Sequence, residues 1–419
     1  MRPLALRCAA PAAALALFAA MSLLYRAGPP DIYFSILAAW GIEPFSLPYL
    51  DTGGNLAAWD CARLGEDVIG FNPCDILGRS FNYGPLWQDF IFIPLYPGDR
   101  VLVGTVLNLA FLASLAALPT PEDWRGAWVM VLGATSTAVV FAVERANPDI
   151  LIFLLVFPVA ALMLRGGVAR GAGYGLIWFA AGLKFYPISL LALALRERVW
   201  RFWLLAALSV LLLGLYVAQY HHSLARIIPL LPVGNYDSDL FAAKNLPVRL
   251  GLVAEVAMGA APWGVAAGGV VLALLVVRLI RQVRRLFADL DFGGALMVMA
   301  PYRHMHLLIG CLLIAGCFFA GQNIAYRAIF LLFALPGLLV LRRGAAWVCV
   351  FLMWEGAVRL GLARALAALG LDSGAVFLVQ LIYWVFRELV WWWAVGMMLA
   401  VILRFMWASP VRCAVWGER

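Results

Sequence analysis

The sequence predicts an all-α membrane protein that crosses the bilayer about 12 times and forms one integral membrane domain over residues 1–419. The chain is 65% hydrophobic and 13% charged, whereas a soluble domain is about 45–50% apolar and about 25% charged. Its mean hydropathy is +0.92, and its apolar runs exceed the length of membrane β-barrel strands. Since the net charge of +8 is spread over the ends of these runs, we expect no nucleic-acid partner.

Stretches without Asp, Glu, Lys or Arg locate the predicted spans. They cover residues 8–25, 101–121, 126–143, 150–164, 171–183, 185–195, 202–220, 256–277, 304–326, 328–341 and 344–354. A last block, 373–403, is interrupted only by Arg387 and Glu388, and we interpret it as one tilted helix because nothing near these residues forms a turn. Arginines flank the stretches, and the positive-inside rule places both termini in the cytoplasm.

The stretches 171–183 and 185–195 are each too short to cross a bilayer alone. Lys184 lies between them, and Pro187 cannot continue a helix without losing a hydrogen bond. The arginines before and after this pair both favour the cytoplasmic side. A short broken hairpin satisfies both groups, so we predict one, with Lys184 facing a cavity near the outer half of the membrane.

Most polar residues of the predicted outer side belong to one long first extracytoplasmic loop, residues 26–100, which holds nine acidic residues. We expect a short helix over 51–66 and an interfacial segment over 86–96. Cys61 and Cys74 share this loop, and an extracytoplasmic compartment permits a disulfide. The sequence leaves a disulfide and two free thiols open.

Asp51 and the turn-rich, aromatic segment containing Asn82 and Tyr83 are the candidate site residues of this loop. Asp51 is placed either as a general base at the rim of a membrane cavity or as the N-cap of the helix that follows it. Asn82 and Tyr83 fit the wall of a sugar or lipid site, and they equally fit an ordinary surface loop.

Three further segments place charged or amide side chains between apolar helices, where they are costly unless they are paired or face water. The first contains Arg145 and Asn147, and its alternative is an arginine–carboxylate staple. Lys184 is interpreted as a phosphate-binding charge or as a side chain that snorkels to the interface. Asn323 and Arg327 form a phosphate clamp or an interface-anchored turn.

Two other groups of residues are assigned no site. The histidines lack a matching acidic cluster, so we predict no metal site. Arg387 and Glu388 are adjacent on one helix, and we expect them to pair elsewhere, with Glu355 as a partner for Arg387.

Four patches in order along the chain resemble those of the GT-C superfamily of membrane glycosyltransferases. The resemblance is strongest to the bacterial branch similar to polyprenyl-phosphate-mannose-dependent α-1,2-mannosyltransferases. The patches are Leu50-Asp51 with Gly65–Val68 and Phe81–Leu86, then Glu144–Asp149, Leu183–Pro187 and Gly321–Arg327. They span about residues 50–330, and the last quarter of the chain adds only hydropathy. Two positions depart from the pattern, because Gly84 replaces a proline and Ala146 stands where many relatives have glycine.

The resemblance implies a GT-C-like fold and a transferase active at the outer face of the cytoplasmic membrane. In such enzymes an Asp just after the first span is the catalytic base, a position that falls on Asp51. The donor would be a sugar, mannose or another hexose, on a polyprenyl phosphate, and the acceptor a glycan or glycolipid. Lys184, Arg145 and Arg327 would stabilise the leaving phosphate, with Tyr83, Asn82, Asn147 and Asn323 lining the site. No cofactor or metal is expected, and the remaining partners are membrane lipids.

Two other functions remain open from the sequence. A transporter or flippase for lipid-linked saccharides would show broken helices in both halves of the chain, and the sequence indicates only the one at Lys184. An oligosaccharide polymerase or ligase would carry its polar residues in a large loop late in the chain. Here most polar residues of the predicted outer side lie in the first loop.

Overall fold

The computed structural model of the protein describes residues 2–45, 47–231 and 240–416. The chain forms two compact units. The first unit comprises Met1–Pro44, Leu115–Phe141 and Val233–Leu403, and the second comprises Phe45–Ser114, Ala142–Pro232 and Arg404–Arg419.

In the residues that the structure describes, the regular elements are helices apart from one antiparallel pair of two-residue strands, β1 (Leu240–Phe241) and β2 (Asn323–Ile324). The α-helices are α1 (Arg2–Ala27), α2 (Pro30–Ala39), α3 (Leu50–Arg63), α4 (Arg100–Ser114), α5 (Trp124–Ala134), α6 (Thr137–Arg145), α7 (Pro148–Val156), α8 (Val159–Leu164), α9 (Gly167–Leu183), α10 (Val199–Ile227), α11 (Asn245–Met258), α12 (Ala261–Ala288), α13 (Leu290–Val298), α14 (Pro301–Ala320), α15 (Leu331–Leu341), α16 (Arg343–Met353), α17 (Glu355–Ala368), α18 (Ser373–Trp407) and α19 (Pro410–Trp416). Short 3₁₀ helices cover Pro85–Phe90, Pro97–Asp99, Leu115–Ala117, Tyr186–Arg196, Ile228–Leu230 and Ala325–Phe330. The all-α prediction is therefore confirmed in its main content.

Seven helices of the described part of the chain are long and apolar enough to cross a membrane, and the count reaches eight if α16 and α17 form one bent span. They are Leu4–Ala27, Pro97–Ala117, Trp124–Arg145, Val199–Leu230, Ala261–Ala288, Pro301–Ala320 and Ser373–Trp407. The predicted total of twelve also counts shorter apolar segments such as Pro148–Leu164 and Ala325–Leu341, so that number stays a prediction. The single long helix predicted over 373–403 is confirmed: α18 has 35 residues, about 52 Å of helix.

The start of α3 in the second unit is fixed to the end of α6. Tyr49 precedes α3 in a left-handed conformation, with φ 56°, and its N–H donates to the Glu144 carbonyl at 3.0 Å. Thr52 donates its hydroxyl to the Ala146 carbonyl at 2.6 Å. Ala146 is also left-handed, with φ 41°, a conformation that favours glycine.

The predicted break at Lys184 is present, and the chain folds back on itself there. Lys184 ends α9 in an extended conformation, and the 3₁₀ helix Tyr186–Arg196 follows. Arg170, near the start of α9, contacts Glu197, just after the 3₁₀ helix, at 3.1 Å, so the two arms run antiparallel.

The carbonyl groups that the break releases are bonded by other parts of the second unit. The indole of Trp87 donates to the Leu183 carbonyl at 3.2 Å, and the hydroxyl of Tyr216 donates to the Gly182 carbonyl at 3.0 Å. A methyl group at Gly84 would lie 2.6 Å from the Gly182 carbonyl oxygen. Only glycine therefore allows residues 84–87 to approach the break this closely.

The first unit contains a buried ionic cluster around Arg387. Its guanidinium contacts Glu355 at 3.0 Å and Glu388 at 2.5 Å, and it donates to the Leu240 carbonyl at 2.7 Å. The predicted Arg387–Glu355 pair is confirmed. The expectation that Arg387 and Glu388 pair elsewhere is wrong, because the long arginine side chain bridges both glutamates.

A second broken helix lies at this cluster. The axes of α16 and α17 differ by 65° at Trp354, and Glu355 begins α17. The expectation of a single broken helix, at Lys184, is therefore wrong. No proline or charge pattern in the sequence predicts this second break. The bend places Glu355, the first residue of α17, next to Arg387.

Candidate active site

Both carboxylate oxygens of Asp51 are held by hydrogen bonds from residues distant in sequence. Arg79 Nη1 donates to Oδ1 at 3.1 Å, and Asn147 Nδ2 donates to Oδ2 at 2.6 Å. The Asp51 side chain is 13% exposed. The alternative assignment of Asp51 as an N-cap is wrong, because Tyr49 occupies the cap position of α3. Asp51 is thus an oriented carboxylate that solvent still reaches.

Arg79 is itself held in place by Asp75. Its Nε and Nη2 donate to the two oxygens of Asp75, each at 2.9 Å, a bidentate and charge-assisted geometry. Nη2 also donates to the Leu50 carbonyl at 2.7 Å. Burial raises the pKa of Asp75, but its hydrogen bonds with Arg79 outweigh this effect and leave the pKa below its ordinary value. We therefore treat Asp75 as an anion at neutral pH.

A disulfide joins this loop to α3. Cys61 on α3 is bonded to Cys74, and their Cα atoms lie 5.8 Å apart. Cys74 directly precedes Asp75, so the bond ties the residue that orients Arg79 to the helix that carries Asp51. Of the two states that the sequence left open, the structure contains the disulfide.

Asn147 connects Asp51 with a buried ion pair. Its side-chain oxygen accepts a hydrogen bond from the N–H of Asp149 at 2.9 Å and so caps α7. Its amide nitrogen donates to Asp51. Asp149 Oδ1 accepts from Lys184 Nζ at 2.7 Å and from the Tyr186 hydroxyl at 2.6 Å. The side chains of Lys184 and Asp149 are 5% and 0% exposed. Lys184 is therefore an ion-paired residue, and the alternative of snorkelling to the interface is wrong.

Aromatic residues of the first predicted loop cover this pair. The ring centroid of Tyr83 lies 5.0 Å from Lys184 Nζ, within cation–π distance, and 6.4 Å from the ring of Trp87. Trp87 is fixed at both ends, because its indole bonds to Leu183 and its carbonyl accepts the Trp59 indole at 2.8 Å. Asn82 is half-buried beside Tyr83. These residues form one wall of the candidate site.

Arg145 forms the staple that the sequence offered as an alternative. Its Nε lies 2.9 Å from Glu144, and its side chain is 12% exposed. The guanidinium carbon lies 3.7 Å from the ring centroid of Phe45. The charge of Arg145 thus lies over an aromatic ring, close in sequence to Asn147.

The fourth predicted patch belongs to the first unit. Asn323 lies in β2 and accepts a hydrogen bond from Arg327, and its amide also donates to the Cys317 carbonyl at 2.6 Å. These bonds form a tight turn between α14 and the 3₁₀ helix that precedes α15, while the anchoring at the membrane interface that the alternative also expected stays a prediction.

The second unit therefore assembles Asp51, Tyr83, Arg145, Asn147 and Lys184, which the sequence proposed from separate segments. It adds Arg79, and it gives contacts to three residues to which the sequence assigned no role, namely Asp75, Asp149 and Tyr186. One signal for Arg79 was present, because it is an arginine four residues after Asp75 in a loop that holds nine acidic residues.

Comparison with protein-family models, with curated proteins and with solved structures gave no match for this chain. Within the described residues, no group of three or more His, Cys, Asp or Glu side chains is placed to hold a metal ion. The chemistry of the candidate site is therefore argued from its own side chains. A partly exposed carboxylate with both oxygens fixed can accept a proton from a bound hydroxyl.

Proposed function

We propose that the protein is a membrane glycosyltransferase that moves a hexose from a polyprenyl phosphate to a glycan or glycolipid acceptor. The observation that carries the proposal is the position of Asp51. It is oriented by Arg79 and Asn147, it remains partly exposed, and it stands where the GT-C resemblance expects the base. The helices long enough to cross a membrane support a substrate drawn from the bilayer.

In the proposed reaction Asp51 takes the proton of an acceptor hydroxyl. The acceptor oxygen attacks the anomeric carbon, and the bond from that carbon to the phosphate oxygen breaks. The bonding electrons pass to the phosphate oxygen, polyprenyl phosphate leaves, and the configuration at the anomeric carbon inverts. A general base of this kind contributes roughly 100-fold to 10,000-fold to the rate.

Cations are proposed to stabilise the leaving phosphate. Arg145 is the best placed within the second unit, because its planar guanidinium can engage phosphate in a fork and its Glu144 partner leaves part of it exposed. Lys184 would have to leave Asp149 to bind phosphate directly, so we assign it a supporting role through Asp149 and Asn147. The location of the site at the outer face of the cytoplasmic membrane is part of the proposal.

A transporter or flippase for lipid-linked saccharides is the second candidate function. Broken helices in both halves of the chain favour it, since one break lies at Lys184 and the other at Glu355. Buried charges accompany both breaks, and such charges mark ion and substrate pathways in many transporters.

The test is a transfer assay on the wild-type protein in nanodiscs, with radiolabelled polyprenyl-phosphate-mannose and a crude acceptor lipid fraction. The proposal expects label in an acceptor lipid, with inverted anomeric configuration by NMR of the product. A second set of proteoliposomes reports movement of a lipid-linked saccharide between leaflets. Movement without transfer would replace the proposal by the transporter function.

A further inference from the structure

We propose that Arg79 is a positioning residue that fixes the carboxylate of Asp51 for proton transfer. This inference rests on the proposed function and assigns a role to a residue that the family resemblance does not include. Arg79 would touch neither substrate in this role, and it would act on the reaction only through Asp51.

The first argument is the way the guanidinium distributes its donors. Nε and Nη2 bind Asp75 and Nη2 binds the Leu50 carbonyl, while Nη1 alone reaches Asp51 at 3.1 Å. Two carboxylates therefore share one guanidinium. This group of three charges is net negative, so it offers little attraction to the phosphate of a donor lipid, and a phosphate-binding role is disfavoured.

The second argument is that Arg79 has little freedom to move. Asp75 accepts hydrogen bonds from the backbone N–H groups of Arg79 and Leu77 at 3.0 and 3.3 Å. The Asp75 carboxylate therefore holds the backbone of residues 75–79 as a tight turn. The disulfide between Cys74 and Cys61 fixes the residue before Asp75 to α3. Rigid support of this kind is what keeps a reacting group within a fraction of an ångström of its productive position.

The third argument comes from the helix that faces Arg79. A methyl group at Gly54 would lie 2.8 Å from Arg79 Nη2, so the guanidinium packs directly on the backbone of α3, one turn after Asp51. With Asn147 on the other oxygen, the carboxylate plane of Asp51 is set from both sides. Without Arg79, the one remaining hydrogen bond from Asn147 would not fix the orientation of the carboxylate plane.

The experiment compares Arg79→Ala and Arg79→Lys with Arg63→Ala as a matched control. Arg63 is also an arginine of the second unit that holds a loop, with hydrogen bonds to the carbonyls of Ile91 and Leu95 at 2.6 and 3.0 Å. In the described part of the chain, the side chain of Asp51 is bonded by Arg79 and Asn147 and not by Arg63. The first readout needs no activity. Carbodiimide labelling of Asp51, measured by peptide mass spectrometry, should accelerate several-fold in Arg79→Ala and stay at the wild-type rate in Arg63→Ala.

The second readout separates positioning from binding. In Arg79→Ala we expect kcat to fall by about 10-fold to 100-fold, the range of a misplaced reacting group, while the Kd for polyprenyl-phosphate-mannose is unchanged. Arg79→Lys should retain part of kcat, and added guanidinium ion should restore part of it in Arg79→Ala but not in Arg63→Ala.

Two results would overturn the inference. Equal labelling of Asp51 in wild type and Arg79→Ala would show that Arg79 does not hold the carboxylate. A weakened donor Kd at unchanged kcat would make Arg79 a substrate ligand instead. If the wild type transfers no sugar, the proposed function fails, and the labelling rates still decide whether Arg79 positions Asp51.

Discussion

Replacement of Lys184 by methionine tests whether the pair with Asp149 holds the candidate site together. Met keeps much of the side-chain volume and removes the ammonium that lies 2.7 Å from Asp149 Oδ1. Because both side chains are buried, loss of one partner leaves a charge in a medium of low dielectric, which costs about 3–5 kcal/mol. The Tyr186 hydroxyl stays on the same oxygen, so we expect the lower end of this range.

The assay is reversible unfolding by SDS in mixed micelles, read as the free energy of unfolding. Asp149→Asn removes the opposite charge and keeps an acceptor for Tyr186. In the double variant Lys184→Met with Asp149→Asn, we expect the loss to be smaller than the sum of the single losses by about 2 kcal/mol, a typical coupling for contacting groups. The chain has one other lysine, Lys244, which is exposed, and Lys244→Met should stay within about 0.5 kcal/mol of wild type.

A Lys184→Met variant as stable as Lys244→Met would refute the reasoning. The double variant also separates structure from chemistry. If it recovers both stability and transfer, Lys184 acts through Asp149, whereas recovered stability without transfer would assign Lys184 a direct role on the donor phosphate.

Three other predictions concern the loop that faces α3 and the broken hairpin. Gly84→Ala should lower the free energy of unfolding by about 1–3 kcal/mol, the cost of an added group in a packed site, because its methyl would meet the Gly182 carbonyl; the SDS titration measures it. In the double variant Cys61→Ser with Cys74→Ser, the free energy of unfolding should fall by about 3 kcal/mol, which is the loop-closure entropy of a disulfide over 13 residues. Wild-type protein with the disulfide reduced should have the same free energy of unfolding as this variant. Asp75 has a pKa lowered in the folded state, so its contribution is present at neutral pH and is lost as the pH falls through the folded pKa. Between pH 7 and about pH 3, which lies below the ordinary Asp pKa, the melting temperature of Asp75→Asn should fall less steeply than that of wild type. An equal dependence of melting temperature on pH in the two proteins would contradict this.

Local chemistry was enough to predict the elements that the chain builds from neighbouring residues. Pro187 and the arginines on both sides of 171–195 determine the broken hairpin, and the continuous apolar run of 373–403 determines α18. These predictions needed no knowledge of tertiary contacts, because proline geometry and hydrophobic length act within one segment.

The contacts of Asp51 could not be predicted in this way. Arg79 is 28 residues away and Asn147 is 96 residues away, so no spacing rule relates them to α3. The pairing of Lys184 with Asp149 could not be predicted for the same reason, because the two residues are 35 positions apart. The sequence recognised both segments as polar and costly, but only the fold decides which charge meets which.

The errors at Arg387 and Glu355 have a different origin. Adjacent residues on a helix do not face each other, and that rule led to the expectation that Arg387 and Glu388 pair elsewhere. Arginine has a long side chain and several donors, so it reaches Glu388 and Glu355 together. The bend before Glu355 follows from tertiary contacts, which periodicity within one helix does not report.

The most direct test of the central claim is the effect of Asp51→Asn on donor binding and on transfer, measured on the same nanodisc preparation. Asp60→Asn is the matched control, because Asp60 lies on the same helix and contacts Arg63 at 3.8 Å. The account predicts that Asp51→Asn keeps the Kd for polyprenyl-phosphate-mannose and loses about 100-fold or more in kcat, the scale of a lost general base. Asp60→Asn should keep both values. Transfer by Asp51→Asn at the wild-type rate would contradict the account.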